Sequence, residues 1–414
     1  MFLYLPTLKS SMDLKKFVDF DELEIAFRAQ TDESLKMRLF IFTTMQFPWL
    51  VKIGTSLTKF ALAIHLPVKR IIKKTIFNLF CGGETLDGCQ RSSHELAAFG
   101  IGAIFDYSVE GEKSEEGFEQ TTQEILRTIE RAGEMDYIRF SAFKITGLAS
   151  FDLLAKIHAE EKLTQGEEEA YQRVFERVDR ICRMAYEKDV SVFIDAEETW
   201  IQKPIDELTL KMMSVYNREK ALIYYTFQMY CHSMLGNLKN LHYHAVENGY
   251  RLGAKLVRGA YMEKESKRAE EMGYKDPIQP NKEACDKDFD SAVKYCLENI
   301  HEIGLFAGTH NEESNYKMTL VMEDLGLQNN DHRVYFGQLY GMSDHISFNL
   351  ANAGYNVIKY VPYGPLKATI PYLIRRANEN SSVQGQSSRE LTLVRKEVSR
   401  RKLFKKQLGH QDKF

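Results

Sequence analysis

The chain lacks paired cysteines, long apolar runs and any marked excess of charge, and each absence removes a class of protein. Its six cysteines, Cys81, Cys89, Cys182, Cys231, Cys285 and Cys296, are scattered without a CxxC pair or zinc-ribbon spacing. That pattern speaks against a disulfide framework or a zinc module and predicts reduced thiols. The most apolar region, 39–51, contains Pro48 and closes on Lys52. It falls short of the roughly 18 residues needed to span a bilayer and predicts a buried helix instead. A net charge of −3 over 414 residues offers no global attraction to nucleic acid, so no such partner is expected. Acids at Asp13, Asp19, Asp21, Glu22 and Glu24 interrupt the N-terminus. It resembles neither a secretory signal nor an Arg-rich transit peptide, and a cytoplasmic location is expected.

Several reactive motifs are missing as well. There is no GxSxG elbow and no HExxH helix. Gly100 and Gly102 supply only the first two glycines of a GxGxxG pattern and precede an apolar run rather than follow one, which disfavours a Rossmann dinucleotide site. The one His-x-His pair, His242 and His244, lies between an amphipathic stretch and a polar turn. Packing or solvated histidines are the better reading there, and no metal centre is expected.

What is present is an alternating pattern. Hydrophobic residues make up 44% and charged residues 27%, a mixture typical of globular proteins. Residues 20–80 carry helical spacings, as in Leu23, Ile25, Ala26 and again Leu35, Leu39, Ile41, until Cys81, Gly82 and Gly83 break them. From about residue 100, eight short apolar or β-branched runs alternate with longer amphipathic stretches: 103–106, 138–145, 190–195, 221–228, 254–258, 304–309, 333–336 and 356–361. That rhythm predicts an α/β fold, a (βα)8 TIM-type barrel with an N-terminal helical extension. The clearest intervening helix is 170–185, with Glu167, Glu168 and Glu169 near its positive end. The expected units are an N-terminal helical segment at 1–95, a barrel at 96–385 and a basic tail at 386–414.

In such a barrel the reactive groups stand at the C-terminal ends of the strands. Polar residues fall there: Lys144, Asp195 and Glu197, Gln228, Lys255 and Arg258 before Gly259 and Tyr261, Thr309, His310 and Asn311, Gln338, and Tyr360. Beyond the last run, adjacent Arg375 and Arg376 share a helix-like segment with Glu379. Two neighbouring guanidiniums suit a carboxylate or phosphate ligand; the alternative is that one pairs with Glu379 and the other is solvated.

Six blocks then carry a specific likeness: FDYSVEGE at 105–112, IDAEETW at 194–200, KLVRGAYMEKE at 255–265, GTHN at 308–311, FGQLYGMSD at 336–344 and YLIRRANENSSV at 372–383. In this order the chain resembles the proline dehydrogenases over residues 100–385. The resemblance implies a distorted (βα)8 barrel that holds FAD, rather than FMN, non-covalently and oxidises L-proline by hydride transfer from C5 to the flavin N5. The product is Δ1-pyrroline-5-carboxylate and the electrons pass to a quinone. It also implies residue roles. Lys144, Arg375 and Arg376 would clamp the substrate carboxylate, Asp195 would support Lys144 or the arginines, and Tyr360, Tyr372 and Leu339 would wall the substrate ring. Gln228, Lys255 and His310 would face the cofactor, with Arg258, Gly259, Tyr261, Thr309, Asn311 and Gln338 beside them and Glu379 near the arginine helix or the adenosine. No catalytic nucleophile is implied. Lys255 stands where many relatives carry arginine, and Met262 where some place a tryptophan.

The segment 389–414 has nine Lys or Arg against three Asp or Glu, with Leu391, Val394 and Val398 on one potential face. Peripheral contact with an anionic membrane, on its inner face, would suit quinone reduction; a solvated or frayed terminal helix is the alternative. A pyrroline-5-carboxylate dehydrogenase is a further expected partner. Rival readings are a hydroxyproline or other cyclic imino acid dehydrogenase, a non-catalytic proline-sensing barrel, and a metal-dependent hydrolase.

Overall fold

A computed structural model describes residues 18–63, 68–107, 114–382 and 386–411. Eight parallel strands close into a barrel in chain order: β1 Ile101–Tyr107, β2 Ile138–Lys144, β3 Ser191–Asp195, β4 Ile223–Gln228, β5 Leu252–Val257, β6 Ile303–Gly308, β7 Val334–Leu339 and β8 Val357–Tyr363. The ring closes through β1 and β8, where Ile101 to Tyr107 run in register with Val357 to Tyr363. Strands buried on both faces need apolar residues in succession rather than in alternation, which is why these runs stood out in the sequence. The expected β8 ended at Val361, whereas the observed strand passes through Pro362 to Tyr363. Pro362 lies beyond Tyr360, the last β8 residue paired with β7, and its carbonyl accepts from the Gly82 amide at 2.9 Å. The expected helix at 170–185 is longer, Gln165–Lys188, and starts from a capping box between Thr164 and Glu167.

The lumen is packed with aromatics. Phe140 and Phe193 stack at 4.8 Å between ring centres, Phe306 meets Phe193 at 4.6 Å, and Tyr335 meets Phe140 edge-on at 4.8 Å. Each ring so buried contributes about 1.5–3 kcal/mol of transfer free energy. These rings form a floor across the barrel, and side chains nearer the C-terminal ends of the strands stand above it. All six cysteines are free and buried.

Outside the barrel, helices Asp32–Met45, Pro48–Ala63, Leu366–Ser382 and Gln386–Gln411 form a second core. Phe27, Phe42, Phe77, Phe80, Met342, Tyr372, Leu373, Ala377, Leu391 and Val394 lie in it. The basic segment is therefore a docked helix. Leu391, Leu393 and Val394 face inward, and Glu390 and Glu397 are fully buried beside them. Its cations meet the protein's own acids: Arg389 pairs with Glu312 and Asp21, Arg400 with Glu24, and Arg401 and Lys405 with Asp32. The buried helix expected at 39–51 is instead the end of one helix, a turn at Gln46–Phe47 and the start of another, with Phe40, Phe47 and Trp49 exposed.

Candidate functional site

The site begins with a buried charge. Lys255, on β5, points into the lumen, where its ammonium lies 2.5 Å from Asp195 Oδ1 at the end of β3. The same ammonium sits 5.0 Å from the Phe193 ring centre and 4.8 Å from that of Tyr360. A cation so placed is held by an opposite charge and by the negative faces of two rings, which together offset its desolvation. Asp195 thus pairs with Lys255, a partner outside the expected set of Lys144, Arg375 and Arg376. The buried hydroxyl of the same Tyr360 finds no hydrogen-bond partner among the described residues. Burial, with Asp195 and Asp106 nearby, pushes it well above the usual phenol range, so it stays a neutral donor. Such a group suits a polar ligand atom.

Around this pair the strand ends supply a ring of polar groups. Lys144 ends β2 in register with Asp195. Beyond β3, Glu197 accepts from the Thr146 amide at 3.0 Å and from the Thr146 hydroxyl. Burial pushes its carboxyl up to about 7, against the pull of Lys144 and the Thr146 bonds. Gln228, at the end of β4, donates to the Glu197 carbonyl at 2.8 Å and accepts from Tyr230 at 3.1 Å. Gly259 has φ +130°, and a Cβ there would lie 1.4 Å from the Tyr230 ring, so only glycine fits. Tyr261 is pushed up to about 12 by burial, with Lys144 opposing.

The opposite side is a network of neutral and charged donors. His310 Nδ1 lies 2.9 Å from the Ser343 hydroxyl, and Nε2 accepts from the Leu339 amide at 3.5 Å. Burial, with Lys359 and Arg376 close by, pushes the ring down to about 3. It is neutral, with the proton on Nδ1 if Nε2 accepts. Arg258 reaches Asp286 at 2.7 Å, Thr309 at 2.5 Å and Ser314 at 2.9 Å while stacking 4.4 Å over Phe289. Asn311 caps helix Glu312–Asp324 through the Ser314 amide at 3.1 Å. Gln338 spans the Thr309 carbonyl at 3.2 Å and the Ser347 hydroxyl at 2.8 Å.

Arg375 and Arg376 are half-buried on helix Leu366–Ser382, and the Arg376 guanidinium lies 5.3 Å over the Tyr372 ring. Leu339 is the register partner of Tyr360 and packs against both the lumen aromatics and the second core. The Glu379 side chain and residues 108–112 of the first block lie outside the described residues. His242 and His244 turn to different tyrosines, Tyr295 at 2.8 Å and Tyr250 at 2.9 Å. Sequence reasoning gave no role to Lys359, Asp344 or Glu390, which brace the β7 loop. A lysine inside a strand of otherwise apolar residues was the available signal for the first.

A family profile described as proline dehydrogenase matches residues 89–389. The chain belongs to the proline dehydrogenase family. Membership places it among oxidoreductases. It is 32% identical over 385 residues to proline dehydrogenase 1, mitochondrial, of Dictyostelium discoideum, which covers 82% of this chain and 67% of that protein. The human proline dehydrogenase 1, mitochondrial, is 43% identical over 243 residues, 58% of this chain and 40% of that protein. The carbapenem antibiotics biosynthesis protein CarD of Pectobacterium carotovorum is 36% identical over 324 residues, 78% of this chain and 84% of that protein. Proline utilization A of Bdellovibrio bacteriovorus, solved after inactivation by N-propargylglycine, superposes with a TM-score of 0.68 at 20% identity. That match covers 90% of this chain and 40% of the larger one, and it shows the shared barrel fold.

Proposed function

We propose that this proline dehydrogenase family member oxidises L-proline to Δ1-pyrroline-5-carboxylate with a non-covalently bound FAD and passes the electrons to a quinone. The observation that carries the reading is the buried Lys255–Asp195 pair against the Tyr360 ring, whose buried hydroxyl has no partner among the described residues. The residues present fit a flavin. Gln228 and Lys255 offer an amide and a cation beside an aromatic floor, neutral His310 offers a ring without added charge, and Arg258 with Thr309 and Asn311 forms a rigid polar rim. Gly259, Tyr261, Gln338 and Glu379 complete the proposed cofactor side. A flavin held there supplies the acceptor for a hydride.

The chain's own part is to bind and orient. Lys144, Arg375 and Arg376 receive the proline carboxylate, each charge-assisted bond contributing about 1.5–3 kcal/mol. Tyr360, Tyr372 and Leu339 wall the pyrrolidine ring, and Asp195 holds Lys255 in place. Fixing the carboxylate fixes C5, and proximity then replaces any nucleophile. As the C5–H bond breaks, the nitrogen lone pair forms the C=N bond. The nitrogen must therefore be neutral, its proton already given to solvent.

The same reading divides the chain into a helical segment at 1–95, the barrel at 96–385 and the C-terminal segment at 386–414. A pyrroline-5-carboxylate dehydrogenase would take up the product. Among the described residues no helix is long and apolar enough to cross a membrane, so contact with a quinone-bearing membrane would be peripheral. The test is the anaerobic absorbance spectrum of the purified protein before and after L-proline and, separately, trans-4-hydroxy-L-proline. Bleaching of a flavin band by proline alone is the expected result. A flavin band that neither compound bleaches would overturn the substrate, and no band after reconstitution with FAD or FMN would overturn the cofactor.

A further inference from the structure

From Phe47 to Gly83 the chain has no Asp or Glu, and it has six cations: Lys52, Lys59, Lys69, Arg70, Lys73 and Lys74. In a protein with 58 acids against 55 bases, an acid-free stretch of this length is a local departure from an otherwise balanced surface. The structure puts exposed apolar side chains in the same stretch. On helix Pro48–Ala63, Trp49, Ile53 and Leu57 recur every four residues and so form one stripe, joined by Phe47 at the preceding turn. Ile71 lies on the short helix Lys69–Ile72 between Arg70 and the exposed Lys74. These five side chains are between 46 and 66% exposed. Large apolar residues at such exposure, three of them on one helical stripe, mark a surface that meets something.

The geometry points to an anionic bilayer surface, and we propose that helix Pro48–Ala63 and the Lys69–Ile72 turn lie on it. Apolar side chains with interleaved lysines match an interfacial helix, whose Trp, Ile and Leu enter the headgroup boundary while Lys52, Lys69, Arg70 and Lys74 meet lipid phosphates; Lys73 is taken up by Glu84. A second copy of this chain suits the face poorly, because a two-fold contact would set the same acid-free cationic segment against itself. The C-terminal helix is the weaker candidate, since Arg389, Arg400, Arg401 and Lys405 pair with Glu312, Asp21, Asp32, Glu24 and Glu397, Leu391, Leu393 and Val394 are buried in the second core, and its exposed Leu403 and Phe404 form no repeated stripe.

The placement bears on the acceptor. Val51, on the inner side of the same helix, packs in one cluster with Met342 of the β7 loop and with Tyr372, Leu373 and Ala377 of the arginine helix. A protein seated on this face would hold that side of its site near lipid-dissolved molecules. This consequence rests on the quinone reading above, whereas the docking face stands on exposure and charge alone.

Flotation of the full chain with phosphatidylcholine vesicles, with and without about one-third phosphatidylglycerol, tests the face directly. Wild-type protein is expected to float with the anionic vesicles, and less so at high salt. Ile53→Glu with Leu57→Glu, and separately Lys69→Glu with Arg70→Glu, are expected to reduce the floated fraction at least tenfold. Arg395→Glu with Lys396→Glu on the C-terminal helix should leave it unchanged. Wild-type protein that stays below the gradient overturns the proposal. So does flotation lost through the C-terminal pair and kept by the other variants. Light scattering that shows a dimer dissociated by Ile53→Glu with Leu57→Glu would assign the face to a second copy instead. Thermal midpoints equal to wild type establish that the variants fold. Bleaching by L-proline is read separately, so protein that bleaches without floating sinks only the docking face, and protein that floats without bleaching sinks only the substrate.

Discussion

Tyr360 and Glu197 are each held in a state that favours something other than stability. The Tyr360 hydroxyl is buried without a partner among the described residues, so removing it relieves a desolvated donor. Tyr360→Phe is expected to leave the thermal midpoint unchanged or higher while raising KM for L-proline; a lower midpoint with unaltered KM would show that the hydroxyl serves only the fold. Glu197 titrates near 7 when folded and near its ordinary 4.5 when unfolded. Between those values the folded state binds the extra proton, so this group's contribution falls as pH rises through the window. The fall is about 3 kcal/mol at most, at ~1.4 kcal/mol per pH unit. Glu197→Gln should therefore gain stability relative to wild type between pH 5 and 8, read as the difference in thermal midpoints. A difference that does not change with pH would mean that Glu197 is ionised throughout. The sequence marked both residues as strand-end polar groups. It carried no sign that one would lack a partner and the other have its carboxyl pushed up by burial, because both follow from what surrounds them.

The β7 loop is the element on which the most distant parts of the chain converge. Gly341 has φ +77°, and a Cβ there would lie 1.8 Å from the Leu79 carbonyl oxygen. Ser343 has φ +51°, a left-handed conformation that is costly for a non-glycine residue unless its surroundings hold it. The hold comes from three directions. The Ser343 amide donates to Glu390 of helix Gln386–Gln411, Lys359 of β8 donates to Asp344 at 2.9 Å and to the Met342 carbonyl, and Arg38 of helix Asp32–Met45 pairs with Asp344 at 3.0 Å. Burial works against the Asp344 charge, yet Lys359 and Arg38 keep its carboxyl below the usual range. Through its hydroxyl, Ser343 meets His310. Glu390→Ala is expected to cost about 1–3 kcal/mol and to weaken flavin retention on dilution, because it leaves the Ser343 amide buried and unpaired. Glu397→Ala on the same helix, whose bonds run to Arg400 and Arg401, should lower the thermal midpoint without altering retention. Equal effects of the two on retention would make Glu390 a merely structural residue.

At the scale of the molecule, the second core ties the N-terminal helices, the β7 loop, the arginine helix and the C-terminal helix together. Such sharing predicts one cooperative transition. The two tryptophans allow a direct check, since Trp49 lies on the N-terminal helices and Trp200 follows β3 in the barrel. Trp49→Phe and Trp200→Phe each leave one reporter, and fluorescence midpoints in urea are expected to coincide between the variants. Separate midpoints would show that the helices unfold independently of the barrel.

The barrel was legible because a parallel strand covered on both faces needs a short apolar run, and eight such runs alternating with longer amphipathic stretches fit few architectures besides a closed ring of strands. The strand-end polar residues and their family likeness were legible for the same local reason, that each lies beside its run. The pairing of Asp195 with Lys255, the docking of the 386–411 helix and the exposure of Trp49, Ile53 and Leu57 were not. Each depends on which surfaces meet after closure, and residue type and spacing constrain that weakly. The sequence by itself determined the barrel, its order and the chemistry at its mouth through local periodicity. Only the tertiary structure decided which charges neutralise one another and which apolar face is left outside, because those are outcomes of packing between segments far apart in the chain, 60 residues for Lys255 and Asp195 and 369 for Arg401 and Asp32.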